Sequence, residues 1–316
     1  MTSTATPQTS TTGPAVFIRS MSKSYSSSSL LKRKRIPALR DIDLEIQRGE
    51  IVALVGESGS GKSTLARCLA LLETPDSGEV LVNGKEIAGL KGAAARKYRS
   101  DVQMVFQDPF GSLNPTFRVE HILERALALH QPEIRSKRNE MARLVSTVGL
   151  NPEVLSSFPH ELSGGQRQRI AIARVLAAKP SVILADEPTS MLDVSVRIGV
   201  LNLLHKLRDE HGISILYVTH DLASARYLSD RIAVLNEGRI VESGESVQLL
   251  DNPRHPYTQL LVGAVPNPDR NSTQDATKRA ALREKIQRWS TGANLKKHMI
   301  DEANQHWVLA EESEMN

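Results

Sequence analysis

The octapeptide Gly56-Glu57-Ser58-Gly59-Ser60-Gly61-Lys62-Ser63 leaves this chain few ways to fold. The pattern G-x-x-x-x-G-K-[ST] marks a phosphate-binding loop only where a buried strand precedes it and a helix follows. Both are present. Ile51 to Val55 is an unbroken apolar run, as expected of a strand covered on both faces. After Thr64, Leu65, Leu69 and Leu72 recur at helical spacing. Gly56, Gly59 and Gly61 let backbone N–H groups converge on phosphate oxygens with no Cβ in the way, and the helix N-terminus adds the positive end of its dipole. Lys62 then reaches the β- and γ-phosphates of a nucleoside triphosphate, and the Ser63 hydroxyl ligates Mg²⁺. A Gly/Ser-rich linker would match the letters but not the strand and helix beside them.

Around this loop the pattern alternates strands with helices. Val16 to Arg19 reads as a first strand. Ile42, Leu44 and Ile46 alternate with polar residues as a half-buried one, and Val80 and Val82 lead into Asn83-Gly84 as a hairpin. Further strands are expected over 102–106, 182–185 and 213–219, with a helix over 196–208. A last hairpin, 232–235 with 239–241, closes the set through Asn236-Glu237-Gly238. Residues 118–178 lack strand-like alternation and read as helical. The fold class is therefore α/β, a parallel-sheet core with an antiparallel β subdomain and an inserted α-helical subdomain at about 108–178. Between Tyr25 and Ala38 a Ser-rich stretch runs into Lys32, Arg33, Lys34 and Arg35. A solvated loop explains these charges better than a nucleic-acid or lipid patch.

Composition narrows the function classes. Forty Lys and Arg against 36 Asp and Glu give a net charge of +4 in 316 residues, too little to imply nucleic acid. Aromatic residues make up 4%, which leaves little for a base-stacking platform. Cys68 is the only cysteine, so disulfides and cysteine-ligated clusters within the chain are excluded. No stretch approaches the ~20 apolar residues of a membrane span. Residues 1–14, rich in Ser, Thr and Pro with no apolar h-region, read as a disordered tail rather than a signal peptide. A membrane role must come from a partner.

A triphosphate site needs a second metal-binding position and a base. Val182 to Ala185 delivers Asp186 and Glu187 to the C-terminal end of a buried strand, where open α/β sheets bind ligands. Neighbouring side chains on extended backbone point opposite ways, so Asp186 faces Mg²⁺ while Glu187 orients and deprotonates the attacking water. His220 ends the next strand, one helical crossover later, and is placed to contact the γ-phosphate.

Leu162-Ser163-Gly164-Gly165-Gln166, continuing through Arg174 as a helix, adds a second anion-binding end: a capping Ser and two glycines with free N–H groups. With this pentapeptide the chain resembles the ABC ATPase family from about Val16 to Pro268, and hence a RecA-like P-loop NTPase. The resemblance implies that two subunits sandwich two ATP molecules, Ser163, Gly164, Gly165 and Gln166 of one closing on the phosphate loop of the other. It further implies that Tyr25 stacks on adenine and that Gln107 is the Q-loop glutamine, contacting Mg²⁺ or water. Asp193 falls in the D-loop, where Met191 stands in place of the usual Ala. Glu187, His220, Lys62 and Gln107 form the implied catalytic set; Ser63, Gln107 and Asp186 form the metal set.

Two stretches, 107–115 and Asn252 to Leu261 followed by Val265 to Asp269, resemble the dipeptide/oligopeptide importer subfamily, with an oligopeptide-type segment at about 245–268. That implies an ATP- and Mg²⁺-dependent ATPase on the cytoplasmic face of a bacterial inner membrane. Its partners would be a second ATPase subunit, identical or paralogous, two transmembrane permeases and, indirectly, an extracytoplasmic solute-binding protein, with no nucleic acid. Relatives importing nickel chelates, glutathione or oligosaccharides keep the cargo open, as does a soluble, non-transport ABC ATPase. The lack of cysteine after this tail predicts no iron–sulfur cluster. Residues 269–316, charged with helical runs such as 280–289, read as a helical extension of unknown role, either a regulatory or partner-binding extension or a loosely docked helix pair.

Overall fold

The computed structural model describes residues 13–26, 35–264, 272–291 and 295–312. In chain order it begins β1 (Val16–Ser26), β2 (Arg35–Ile46), β3 (Ile51–Val55), α1 (Lys62–Leu69), β4 (Ser77–Val82) and β5 (Lys85–Glu86). There follow α2 (Gly92–Asp101), β6 (Val102–Val105), α3 (Pro109–Ser112), α4 (Val119–His130), α5 (Lys137–Thr147) and α6 (Gly164–Leu176). The core resumes with β7 (Val182–Asp186), α7 (Val194–His211), β8 (Ser214–Thr219), α8 (Leu222–Leu228), β9 (Arg231–Asn236) and β10 (Arg239–Glu245). The last elements are α9 (Ser246–Asp251), α10 (Pro256–Ala264), α11 (Ser272–Thr291), β11 (Lys296–Asp301) and β12 (His306–Ala310).

Two sheets share the strands. One is antiparallel, in the order β2-β1-β4-β5; the other runs β11-β12-β10-β9-β3-β8-β7-β6. Its β9, β3, β8, β7 and β6 pair in parallel. The unbroken apolar runs follow from this placement. Ile51, Ala53 and Val55 of β3 enter one core, with α4, α5, α6 and α7, while Val52 and Leu54 enter a second, with α1 and the antiparallel sheet. Strands β7 and β8 divide in the same way, Ile183 and Tyr217 to the first core and Leu184 and Val218 to the second. A strand with two buried faces has no position for a charged residue until it reaches the sheet edge, and Asp186 sits at that edge. Helix α4 buries Val119, Ile122, Leu123 and Leu127, the spacing of a one-faced helix, within the helical region. Among the described residues no helix is long and apolar enough to cross a membrane.

Three expectations need correction. The helix after the phosphate loop stops at Leu69 instead of running through Leu72, because Leu71 takes a left-handed backbone (φ 53°), and Leu72 is exposed. The hairpin β9–β10 does not close the sheet: β12 adds to β10, pairing Val308 with Glu242 and Trp307 with Ser243, and β11 adds to β12. The segment after 269 is accordingly one helix and a β-hairpin, not a helix pair. His306, Val308 and Ala310 are buried in alternation, and Asp301 closes the turn by accepting the N–H groups of Ala303 and Asn304. Trp289 of α11 packs with Val308 and Ala310. The basic residues 32–34, residues 265–269 and most of the N-terminal tail lie outside the described residues, and Arg35 opens β2, exposed.

Candidate nucleotide site

The loop from Gly56 to Gly61 joins β3 to α1, so the sheet fixes one end and the helix the other. Gly61 caps α1 at φ 111°, and a Cβ there would lie 2.4 Å from the carbonyl oxygen of Ala38 in β2, so only glycine fits. The β9–β10 turn braces the other flank, the Gly238 N–H donating to Ser60 O at 2.9 Å. Lys62 is buried, and its ammonium donates to the carbonyls of Gly56 (2.7 Å) and Glu57 (2.8 Å). Burial lowers its pKa, opposed by the charges of Glu187, Asp186 and Glu57. Glu57, Ser58 and Gly59 form the exposed apex, and Ser63 and Thr64 are half-buried at the start of the helix.

Parallel pairing of β7 with β8 brings the remaining groups to the same edge. The Ser63 hydroxyl donates to Asp186 Oδ1 at 3.0 Å. Asp186 is buried, and desolvation raises its carboxyl, against the hydrogen bond from Ser63. The Glu187 carboxylate is held from two sides: Gln107 Nε2 donates to Oε2 at 3.0 Å, and His220 Nδ1 lies 3.2 Å from Oε1. Asp186 and Glu187 diverge for a reason other than strand alternation. Glu187 has a left-handed backbone (φ 45°), outside the extended region, while its N–H still bonds to Val218 O at 2.9 Å. Such a conformation costs about 1–2 kcal/mol in a non-glycine residue and persists where surrounding contacts over-determine it, as at functional sites. Asp221, beside His220, caps α8 and receives Arg197 Nη1 of α7 at 3.1 Å, which ties the end of β8 to the segment after Asp193.

The turn at the head of α6 is formed independently. Ser163 Oγ accepts the Gln166 N–H at 3.3 Å, and Gln166 Oε1 accepts the Ser163 N–H at 2.9 Å, a reciprocal cap. Gly164 and Gly165 abut Leu192 and Val196, and a Cβ at Gly165 would come 2.2 Å from Val196 Cγ1. The two glycines thus also let α6 approach Leu192 and α7. No hydrogen bond among the described residues joins 163–166 to 56–63. Asp193 is the N-cap residue preceding α7 and is exposed. Tyr25 stands on β1 in the antiparallel sheet, 37% exposed, with the Lys23 ammonium 5.4 Å from its ring centre.

One contact at the loop escaped the sequence reading. Tyr257, in α10, accepts the backbone N–H of Glu57 at 2.8 Å. Its only local signal is the His-Pro-Tyr run, which says nothing of a partner 200 residues away.

Comparison with known proteins gives this geometry its class. Residues 39–190 match the ABC transporter family, and residues 241–292 match the C-terminal region of oligopeptide/dipeptide transporters. The fold is similar to the ATP-binding cassette MJ0796 in a dimeric post-hydrolysis state bound to ADP and Pi (TM-score 0.66, 33% identity, 73% of this chain and 98% of that one). It is similar also to cbiO1 from Clostridium perfringens, part of the ABC transporter complex cbiONQ (TM-score 0.67, 29% identity, 76% and 92%). The oligopeptide transport ATP-binding protein OppF of Streptococcus mutans is 45% identical over 75% of this chain and 78% of its own length. The dipeptide transport ATP-binding protein DppF of Lactococcus lactis is 44% identical over 76% and 78%. OppF of Bacillus subtilis is 45% identical over 75% and 79%. The chain belongs to the ATP-binding proteins of ABC transporters, in the oligopeptide/dipeptide family, and is an ATPase.

Proposed function

We propose that the chain powers import of dipeptides and oligopeptides, from the cytoplasmic face of a bacterial inner membrane that partner subunits span. The match of residues 241–292 and the peptide-transport relatives support this cargo class. Two copies, or this chain and a paralogue, form the working ATPase. Their helical regions, about 108–178, dock near Gln107 onto two transmembrane permeases, to which an external solute-binding protein delivers the peptide.

Within the shared site, the N–H groups of the loop, from Gly56 to Thr64, wrap the phosphates, and Tyr25 stacks on the adenine. Lys62 exchanges the carbonyls of Gly56 and Glu57 for β- and γ-phosphate oxygens. Ser63, Gln107 and Asp186 suit Mg²⁺: each side chain offers an oxygen, as this ion prefers, and Asp186 is a buried carboxylate whose side-chain hydrogen-bond partner among the described residues is the Ser63 hydroxyl. The bound ion would neutralise charge on the phosphate oxygens. Glu187, steadied by Gln107 and His220, orients the attacking water and takes its proton. His220 contacts the γ-phosphate. Ser163, Gly164, Gly165 and Gln166 of the second subunit close on the phosphate with the dipole of α6 behind them, and Asp193 lies at the same junction.

The observation that carries this reading is the separation, within one chain, of two anion-binding ends: the loop holding Lys62 and the capped turn at Ser163. The dimeric state of the similar cassette bound to ADP and Pi agrees with their meeting across two copies. Glu187→Gln tests it. Turnover should fall about 100-fold or more, ATP affinity should hold, and the ATP-bound assembly should persist. Normal turnover would remove Glu187 as the base.

A further inference from the structure

The Glu57 N–H that Tyr257 accepts belongs to the Gly56–Glu57 peptide unit. The carbonyl of the same unit, Gly56 O, receives Lys62 Nζ at 2.7 Å. The peptide is trans and planar, so its N–H and C=O point in opposite directions. Holding the N–H on the Tyr257 side therefore holds the carbonyl on the Lys62 side. Rotation of this one peptide plane would remove an acceptor from the lysine ammonium, whose burial makes an acceptor necessary. Tyr257 is 3% exposed, and burial pushes its hydroxyl up to about 12, so it remains neutral and accepts through a lone pair.

Tyr257 is itself fixed from behind. Its N–H donates to His255 Nδ1 at 3.1 Å, and the His255 N–H donates to Glu242 Oε2 at 3.0 Å. Glu242, fully buried in β10, also accepts the Arg254 N–H, and His306 Nε2 of β12 lies 2.8 Å from its Oε1. The His255 ring meets Trp289 of α11 edge-on, with 5.0 Å between ring centres. The segment carrying Tyr257 is thus clamped between the main sheet and the last helix and hairpin.

We propose that Tyr257 is a positioning residue of the nucleotide site, which, through the Gly56–Glu57 peptide, sets where Lys62 waits before nucleotide arrives. The C-terminal segment then does more than cover the core: it preorganises the phosphate loop. The inference rests on the nucleotide-binding reading of residues 56–63. Binding to an ordered loop spends less free energy on ordering it, so losing the contact weakens capture of nucleotide more than the chemical step.

Tyr257→Phe keeps the ring and removes the hydroxyl that accepts the Glu57 N–H. In the full chain, Kd for ATP, and KM for ATP in the assembled transporter ATPase, should rise about three- to tenfold, the net effect of one hydrogen bond. The value of kcat and the thermal unfolding midpoint should stay close to wild type. Amide hydrogen exchange of nucleotide-free protein should quicken in peptides spanning residues 55–60. Unchanged Kd and unchanged exchange would overturn the proposal, as would a fall in kcat at constant KM. Wild-type protein that bound no ATP would strike the nucleotide reading itself; wild type that binds with Tyr257→Phe its equal strikes only this inference.

Discussion

His255 is a titratable group whose whole environment is visible at the scale of one residue. It is buried against Trp289 and accepts the Tyr257 N–H, and burial, with a smaller contribution from the Lys285 charge, pushes its imidazole down to about 3. The unfolded chain holds His near its ordinary value of about 6.5. Between those values the unfolded state binds more protons than the folded one. The stability due to neutral His255 is therefore complete above about pH 6.5 and is lost as pH falls, by up to about 1.4 kcal/mol per pH unit. Denaturant unfolding at pH 7, 6, 5 and 4 should show this acid limb in wild type, with a shallower one in His255→Asn; identical slopes would exclude His255 as its source. The candidate site was legible in the sequence because its signal is contiguous: Gly56 to Ser63, Asp186-Glu187 and Ser163 to Gln166 each carry their own context. Tyr257 was not, because a hydrogen bond to a backbone N–H 200 residues away leaves no mark on either sequence. The left-handed backbone of Glu187 was equally hidden, since that conformation favours glycine and here is imposed by tertiary contacts.

Helix α6 does two jobs, and its first turn separates them. As a cap, Ser163 satisfies the Gln166 N–H; as one wall of the proposed phosphate site, it must not repel an anion. Aspartate caps as well as serine but carries a negative charge. Ser163→Asp should therefore leave thermal stability and ATP binding by the separate chain near wild type while abolishing hydrolysis by the assembly. Retained hydrolysis would take the α6 turn out of the reaction centre. The strands on either side explain how far patterning alone could go. β3, β7 and β8 are buried on both faces and read as apolar runs, and α4 shows its single face. The hairpin β11–β12 was missed because its strands have six and five residues, β11 buries no residue fully, and only His306, Val308 and Ala310 alternate.

Across the whole molecule, one sheet connects the nucleotide edge to the C-terminal hairpin: β3 supplies the loop, β7 the carboxylates and β8 the histidine, while β10 and β12 hold the segment that reaches back to Glu57. On the proposed reading the chain carries every part of a nucleotide site, yet among the described residues no hydrogen bond joins its two anion-binding ends. On this account a single protomer binds ATP and does not hydrolyse it. The most direct measurement is turnover per protomer over a dilution series, with mass followed by light scattering in the same samples. The rate should fall towards zero as the assembly dissociates into single chains that still bind ATP. A monomer that sustains the undiluted rate would contradict it.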